Sequence, residues 1–141
     1  MSQHYAGVFT TPVPKFIPES IDLISGSGST ALFIIDAAVQ LGIPFASMYS
    51  VGNSAQVGVE EVLQFLDETY IHGKSAPVKL LYIESIKKPL KLYKHASSLR
   101  RKGAFVAAVK AGFSEAGSRA ATSHTGAMAN PDAAVTALFN K

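Results

Sequence analysis

The chain has 141 residues, 48% of them hydrophobic and 16% charged, with a formal net charge of +3 and no cysteine. That is one domain on a scale of about 150 residues per domain, large enough to bury roughly two-thirds of its unfolded surface without covalent staples. The missing cysteine excludes disulfides, thiolate nucleophiles, cysteine-ligated zinc and iron–sulfur clusters.

Residues 1–20 carry Pro12, Pro14 and Pro18 and no apolar period. Proline removes donors and holds its neighbours extended, so this stretch is expected to be a linker from a preceding domain or a strap along a neighbouring surface. Residues 1–7 lack the charged and apolar regions of a signal peptide, and no apolar run approaches the ~20 residues of a membrane span. The expectation is a cytoplasmic protein without a membrane partner.

From Ser20 onward, short apolar runs alternate with helical periods. Residues 21–25 read as a strand, followed by Gly26-Ser27-Gly28-Ser29. Residues 30–41 form a predicted helix, apolar nearly all round and therefore expected to be buried, which Gly42-Ile43-Pro44 stops. A second strand covers 45–51 and ends at Gly52-Asn53. Val59, Val62, Leu63 and Leu66 then recur at i, i+3, i+4 and i+7, the mark of a helix with one apolar face. A third strand is predicted over 78–84. The helix over 89–102 places Leu92, Ala96 and Leu99 inward and its basic residues outward. A fourth strand covers 104–109. A polar loop follows to Asn130, which caps a short final helix opened by Pro131.

Strands alternating with helices call for a parallel sheet covered on both faces. With right-handed crossovers this is an α/β, flavodoxin-like, doubly wound sheet. Four strands are visible and the chain ends after a helix, so either the sheet has four strands or a fifth follows in a longer polypeptide, and the loose leader favours the second. We therefore expect a segment of a longer polypeptide, with 1–20 as its linker and 21–141 as the domain.

Eight of the thirteen basic residues, Lys87, Lys88, Lys91, Lys94, Arg100, Arg101, Lys102 and Lys110, fall in one stretch. Only Tyr93 and Phe105 interleave them as aromatics, so they read as a solvated face rather than a nucleic-acid surface. The four histidines, His4, His72, His95 and His124, show no i, i+4 pair and no ligand spacing, so no metal site is expected. His4, His72 and His95 read as solvated residues.

Ligands of open α/β sheets bind beyond the carboxyl ends of the strands, and three features fall there. The first is Ser25-Gly26-Ser27-Gly28-Ser29-Thr30, where glycines, hydroxyls and a helix N-terminus suit a phosphate. It is neither a Walker motif nor G-x-G-x-x-G, and a tight turn with a serine cap is the other reading. The second is Ser123-His124-Thr125-Gly126. A neutral imidazole can carry a phosphoryl group, but a histidine at this place can equally be a surface residue. The third is Glu84, which either emerges into solvent or orients an imidazole by accepting its N–H.

Taken together, Asp22-Leu23-Ile24-Ser25-Gly26-Ser27-Gly28, Ser50-Val51-Gly52-Asn53, Tyr82-Ile83-Glu84 and Lys110-Ala111-Gly112-Phe113-Ser114-Glu115-Ala116-Gly117, leading to Ser123-His124-Thr125-Gly126, resemble the NDP-forming acyl-CoA synthetases. These belong to the superfamily of succinyl-CoA synthetase and ATP-citrate lyase. The order and spacing hold from about Ser20 to the end, and the lysine-to-histidine stretch is the most specific part.

The resemblance implies a phosphoryl relay in a ligase acting on acetate or another small acid. Acyl-CoA and phosphate would give an acyl phosphate, which phosphorylates a histidine whose loop swings to an ATP-grasp domain and ADP. In family terms His124 matches the phosphohistidine and Glu84 the glutamate that steadies it. Ser27, Gly28, Ser29 and Thr30, with Thr125 and Gly126, match the phosphate-binding positions. Gly52 and Asn53 match possible acyl or CoA contacts, and Gly112, Gly117 and Gly126 would let the loop move.

The cofactors implied are CoA and ATP/ADP with Mg²⁺ in the full enzyme, none bound tightly to this chain. The partners implied are a CoA-binding Rossmann domain and an ATP-grasp domain or subunit, with oligomers allowed. Two positions depart from the family pattern. Glutamine is usual where Gly26 stands, and Lys and Asp commonly follow Gly52-Asn53, where this chain has Ser54, Ala55 and Gln56. Two rival functions are a flavin-binding electron carrier, with Tyr49 or Tyr82 beside the ring, and a non-catalytic CoA-sensing module.

Overall fold

The computed structural model describes residues 14–52 and 56–112. The elements in chain order are β1 (Ile21–Ser25), α1 (Gly28–Gln40), β2 (Ser47–Ser50), α2 (Val59–Glu68), β3 (Val78–Ile83), α3 (Pro89–Arg101) and β4 (Phe105–Lys110). All pairings among the described residues are parallel and the strand order is β2-β1-β3-β4, that of a doubly wound, flavodoxin-like sheet. The expected final helix and fifth strand, with Asn53, Gly117, His124, Thr125 and Gly126, lie outside the described residues.

The sheet separates two apolar layers because side chains alternate along each strand. On one face Ile24, Leu81 and Ile83 pack with Val62, Leu63 and Leu66 of α2 and Leu92 and Leu99 of α3. Leu63, Ile83 and Leu99 are fully buried, and each contributes about 1.5–3 kcal/mol by leaving water. On the other face a smaller cluster joins Leu23 to Ala38 of α1 and to Phe45, with Phe16 and Leu80 against it. Phe16 forms a parallel bridge with Phe45, so residues 15–17 run along the β2 side of the domain.

Two sequence expectations are corrected. Helix α1 is not buried all round: Ala31, Ile35 and Ala38 are buried, whereas Phe33 is 76% exposed. The helix packs on the sheet with one side only, and no described element covers the other. His95 is not a solvated residue either. It is buried, with Nδ1 2.8 Å from Asp67 Oδ2. Because α3 packs closely against α2, a position that looks polar on the helical wheel falls inside.

The strands also hold a buried charge pair within runs that read as apolar. Asp22 and Lys79 are register partners in β1 and β3, and the Lys79 ammonium donates to the Asp22 carboxylate. Ser47 Oγ donates to the other Asp22 oxygen, Lys79 Nζ also donates to Ala76 O at 2.8 Å, and the Tyr70 ring lies 5.3 Å from the ammonium. The pair sits at the amino end of the strands, away from the loops described next. Among the described residues no helix is long and apolar enough to cross a membrane.

Candidate functional site

The loop between β1 and α1 is built by its serines. Ser25 is fully buried, its Oγ donating to Ser27 O at 2.7 Å and accepting from Ser27 N at 3.2 Å. This double bond folds the chain into the helix entry. Ser27 is the N-cap, extended at φ −135° and ψ 128°, and its Oγ accepts from Thr30 N at 3.4 Å. Ser29 Oγ lies 3.2 Å from the same hydroxyl. The hydroxyls therefore serve the turn, as the capping reading expects.

What they leave available is backbone. Gly28 and Ser29 are exposed, and their N–H groups have no acceptor among the described residues, as first-turn donors of a helix do not. The first turn of this thirteen-residue helix holds no acidic side chain to offset its positive end.

Backbone hydrogen bonds bring the neighbouring loops to this turn. Val51 N donates to Ser25 O at 2.9 Å, and a Cβ on Gly28 would stand 3.7 Å from Ser50 Oγ. Gly26 N donates to Tyr82 O at 2.8 Å. A Cβ on Gly26 would stand 3.3 Å from both Tyr82 O and Glu84 N, so the missing side chain lets the two loops lie backbone to backbone. Ala111 N donates to Ile83 O at 2.8 Å, which ties the residues just after β4 beside Glu84. Gly52 and Gly112 adopt left-handed conformations at φ 51° and 78°. The loops after β1, β2, β3 and β4 thus meet at one edge, with Ser27–Thr30 and Glu84 flanking the crevice between β1 and β3. There the chain reverses its direction of winding, the place where such sheets bind ligands.

Glu84 begins the bend after β3, one residue past the end of the strand. It is half-buried, and its carboxylate has no hydrogen-bond or ion-pair partner among the described residues. Its loop is held from behind by Glu60, which the sequence reading missed. Glu60 is 1% exposed and its Oε1 accepts from Lys87 N at 2.6 Å and Lys88 N at 2.9 Å. The only sequence signal was an acidic pair opening α2, which does not distinguish a residue serving its own helix from one reaching another.

Glu61 serves its own helix and the basic stretch together. Its Oε2 accepts from Gly58 N at 2.8 Å, and its Oε1 from Lys88 Nζ at 2.8 Å and Lys91 Nζ at 3.0 Å. The Lys88 hydrogen bond, with help from Lys91 and Gly58, holds the Glu61 carboxyl down at about 2 despite some burial. For Asp67, burial favours the neutral acid, but hydrogen bonds from Lys102, His95 and Ser98 outweigh it and lower its pKa. Lys88, Lys91 and Lys102 are thus ion-paired rather than simply solvated.

Of the aromatics considered for a flavin, Tyr49 packs against the larger core cluster. Tyr82 lines a cavity of about 240 Å³ with Ile34, Leu80 and Val109. Among the described residues no group of three acidic or histidine side chains could hold a metal ion.

Comparison with known proteins shows the family to which this fold belongs. Residues 18–141 match the family described as the succinyl-CoA ligase like flavodoxin domain. An acetate–CoA ligase (ADP-forming) of Methanocaldococcus jannaschii is 32% identical over 121 residues, covering 86% of this chain and 16% of the relative. The alpha subunit of acetate–CoA ligase (ADP-forming) II of Pyrococcus furiosus is 36% identical over 110 residues, 78% of this chain and 23% of the relative. Among solved structures, acetyl-coenzyme A synthetase 1 of Ca. Korarchaeum cryptofilum, in complex with phosphate and ADP, aligns with a TM-score of 0.76 at 28% identity. That alignment covers 91% of this chain and 26% of the solved one. The chain spans between a sixth and about a quarter of the length of these relatives. With the family model matched from Glu19's neighbour Pro18 to the last residue, the chain belongs to the succinyl-CoA ligase like flavodoxin domain family.

Proposed function

We propose that this chain is the phosphoryl-carrying domain of an ADP-forming acyl-CoA synthetase, with His124 as the carrier. The observation that supports this reading most is the half-buried Glu84 carboxylate, without a partner among the described residues, its backbone set in contact with the N-terminal loop of α1 across the β1–β3 crevice. A carboxylate and a helix N-terminus side by side are what an imidazole and its phosphoryl group require.

In this reading, phosphate attacks the thioester carbonyl of an acyl-CoA and the CoA thiolate leaves, giving an acyl phosphate. A His124 ring nitrogen then attacks phosphorus, and the acyl carboxylate departs as the N–P bond forms. Glu84 accepts the N–H of the other ring nitrogen, which keeps the attacking nitrogen unprotonated and stabilises the ring as it gains positive charge. The N–H groups of Gly28 and Ser29 receive the phosphoryl oxygens at the positive end of α1. Thr125 and Gly126 complete the phosphate contacts, and Gly52 and Asn53 border the acyl or CoA side.

Gly112, Gly117 and Gly126 allow the loop to carry phosphohistidine away, so that ADP can take the group and form ATP. The nucleotide with its Mg²⁺ and the CoA belong to partner domains, an ATP-grasp and a Rossmann domain, in keeping with the small share of each relative that this chain spans.

The test is labelling. Assembled with a CoA-binding and an ATP-grasp domain and given [γ-³²P]ATP, the chain is expected to acquire acid-labile, base-stable label. His124→Asn should abolish it and Glu84→Gln should slow it about 10- to 100-fold, the usual cost of losing a carboxylate behind a functional imidazole. Label persisting in His124→Asn overturns the relay.

A further inference from the structure

We propose that Glu60 is a positioning residue for Glu84, acting through the backbone of the loop between β3 and α3; this rests on the relay reading for what Glu84 does. Helix α3 opens on Lys88, which makes no side-chain cap, followed by Pro89, whose ring has no N–H. The two donors ahead of the proline, Lys87 N and Lys88 N, both point at a single oxygen, Glu60 Oε1. An acceptor from α2 thus supplies the cap that the sequence of α3 does not contain.

Three features show that the arrangement is built rather than incidental. Glu60 is 1% exposed although it occupies the first turn of a helix, where carboxylates ordinarily reach water. Gly58 makes room for it: a Cβ there would collide with Glu60 Oε2. Ile86, between Glu84 and the held amides, is buried in the same core cluster as Val59, so the loop is anchored by packing and by hydrogen bonds on the same side.

Only three peptide units separate Glu84 from Lys87. With β3 fixed before it and Lys87 fixed after it, the bend at Glu84 has little freedom, and its carboxylate keeps one place beside the α1 loop. Charge-assisted hydrogen bonds from backbone amides to a buried carboxylate are the stronger kind, which suits a strut. Asn and Ala at position 60 would lose it for different reasons, one by reach and one by chemistry, whereas Gln would retain the accepting oxygen.

The experiment is a cycle in the assembled system, with amide hydrogen exchange on the chain itself. Glu60→Ala is expected to speed exchange at Lys87 and Lys88 at least tenfold, with the β1 and β3 amides unchanged. In the labelling assay it should slow phosphorylation of His124 about tenfold at unchanged nucleotide KM, and Glu60→Gln should recover most of that rate. The double variant Glu60→Ala/Glu84→Gln should be no slower than Glu84→Gln alone, because Glu60 acts only through Glu84. Independent, multiplying losses in the double variant overturn the proposal, as does a Glu60→Ala chain that labels at the normal rate. A wild-type assembly that takes no label overturns the relay itself, and is told apart by the exchange result.

Discussion

Replacing Lys79 by methionine should cost this domain about 3–5 kcal/mol, although methionine fills nearly the same space. The lysine side chain is 1% exposed and its partner Asp22 7%. Methionine keeps the buried stem, so packing changes little, and the gain from removing the ammonium is offset by what it leaves behind. Asp22 would retain the Ser47 hydroxyl but lose its cation, and Ala76 O would lose its donor. Removing one member of a buried pair costs about that much because an uncompensated charge stays out of water. Against a total of about 5–15 kcal/mol for a domain, the loss is a large fraction.

Urea unfolding followed by far-UV circular dichroism measures it, read as a fall in midpoint at constant slope. The double variant Lys79→Met/Asp22→Asn removes both charges and keeps an acceptor for Ser47, so it should recover about half of the loss or more. A Lys79→Met chain within about 1 kcal/mol of wild type, or a double variant as costly as the two singles added, would refute the reasoning.

Two further outcomes follow from the charge pairs between α2 and α3. Asp67→Ala strands the buried His95 Nδ1, while Lys102 Nζ loses the carboxylate but keeps the backbone oxygen of residue 67, so the change should cost about 1–3 kcal/mol in the same urea assay; a loss under about 0.5 kcal/mol would count against the clamp. The Glu61 carboxyl is held at about 2 from an ordinary 4.5, so its ion pairs stabilise the fold fully above pH 4.5 and lose that contribution as pH falls toward 2. Compared with Glu61→Gln, the wild type should therefore lead by about 1 kcal/mol at neutral pH, a value kept small by the solvent around Lys88, with the lead closing through that window. A lead unchanged at pH 2.5 would show that the pairs do not matter.

Periodicity and turn chemistry by themselves determined the alternation of strands and helices, the α/β class and the loops that gather at the carboxyl edge. The six elements read with bounds begin and end within about two residues of them, and α2 contains the four apolar positions that marked it, because apolar spacing reports which residues of an element share a face. The glycine–serine turn before α1 and the placement of Glu84 were legible for the same reason: each directly follows an apolar run. Partners on other elements were not. Asp22 meets Lys79 only because β1 and β3 pair in one register, across 57 positions of sequence. His95 is buried, and Glu60 reaches the start of α3, only because α2 and α3 cross where they do, bringing together residues 28 and 27 positions apart. Phe33 is exposed for the complementary reason, since an apolar residue is buried only where a neighbouring layer covers it. Local sequence specifies which face a side chain takes; what stands opposite that face is decided by the packing of distant segments.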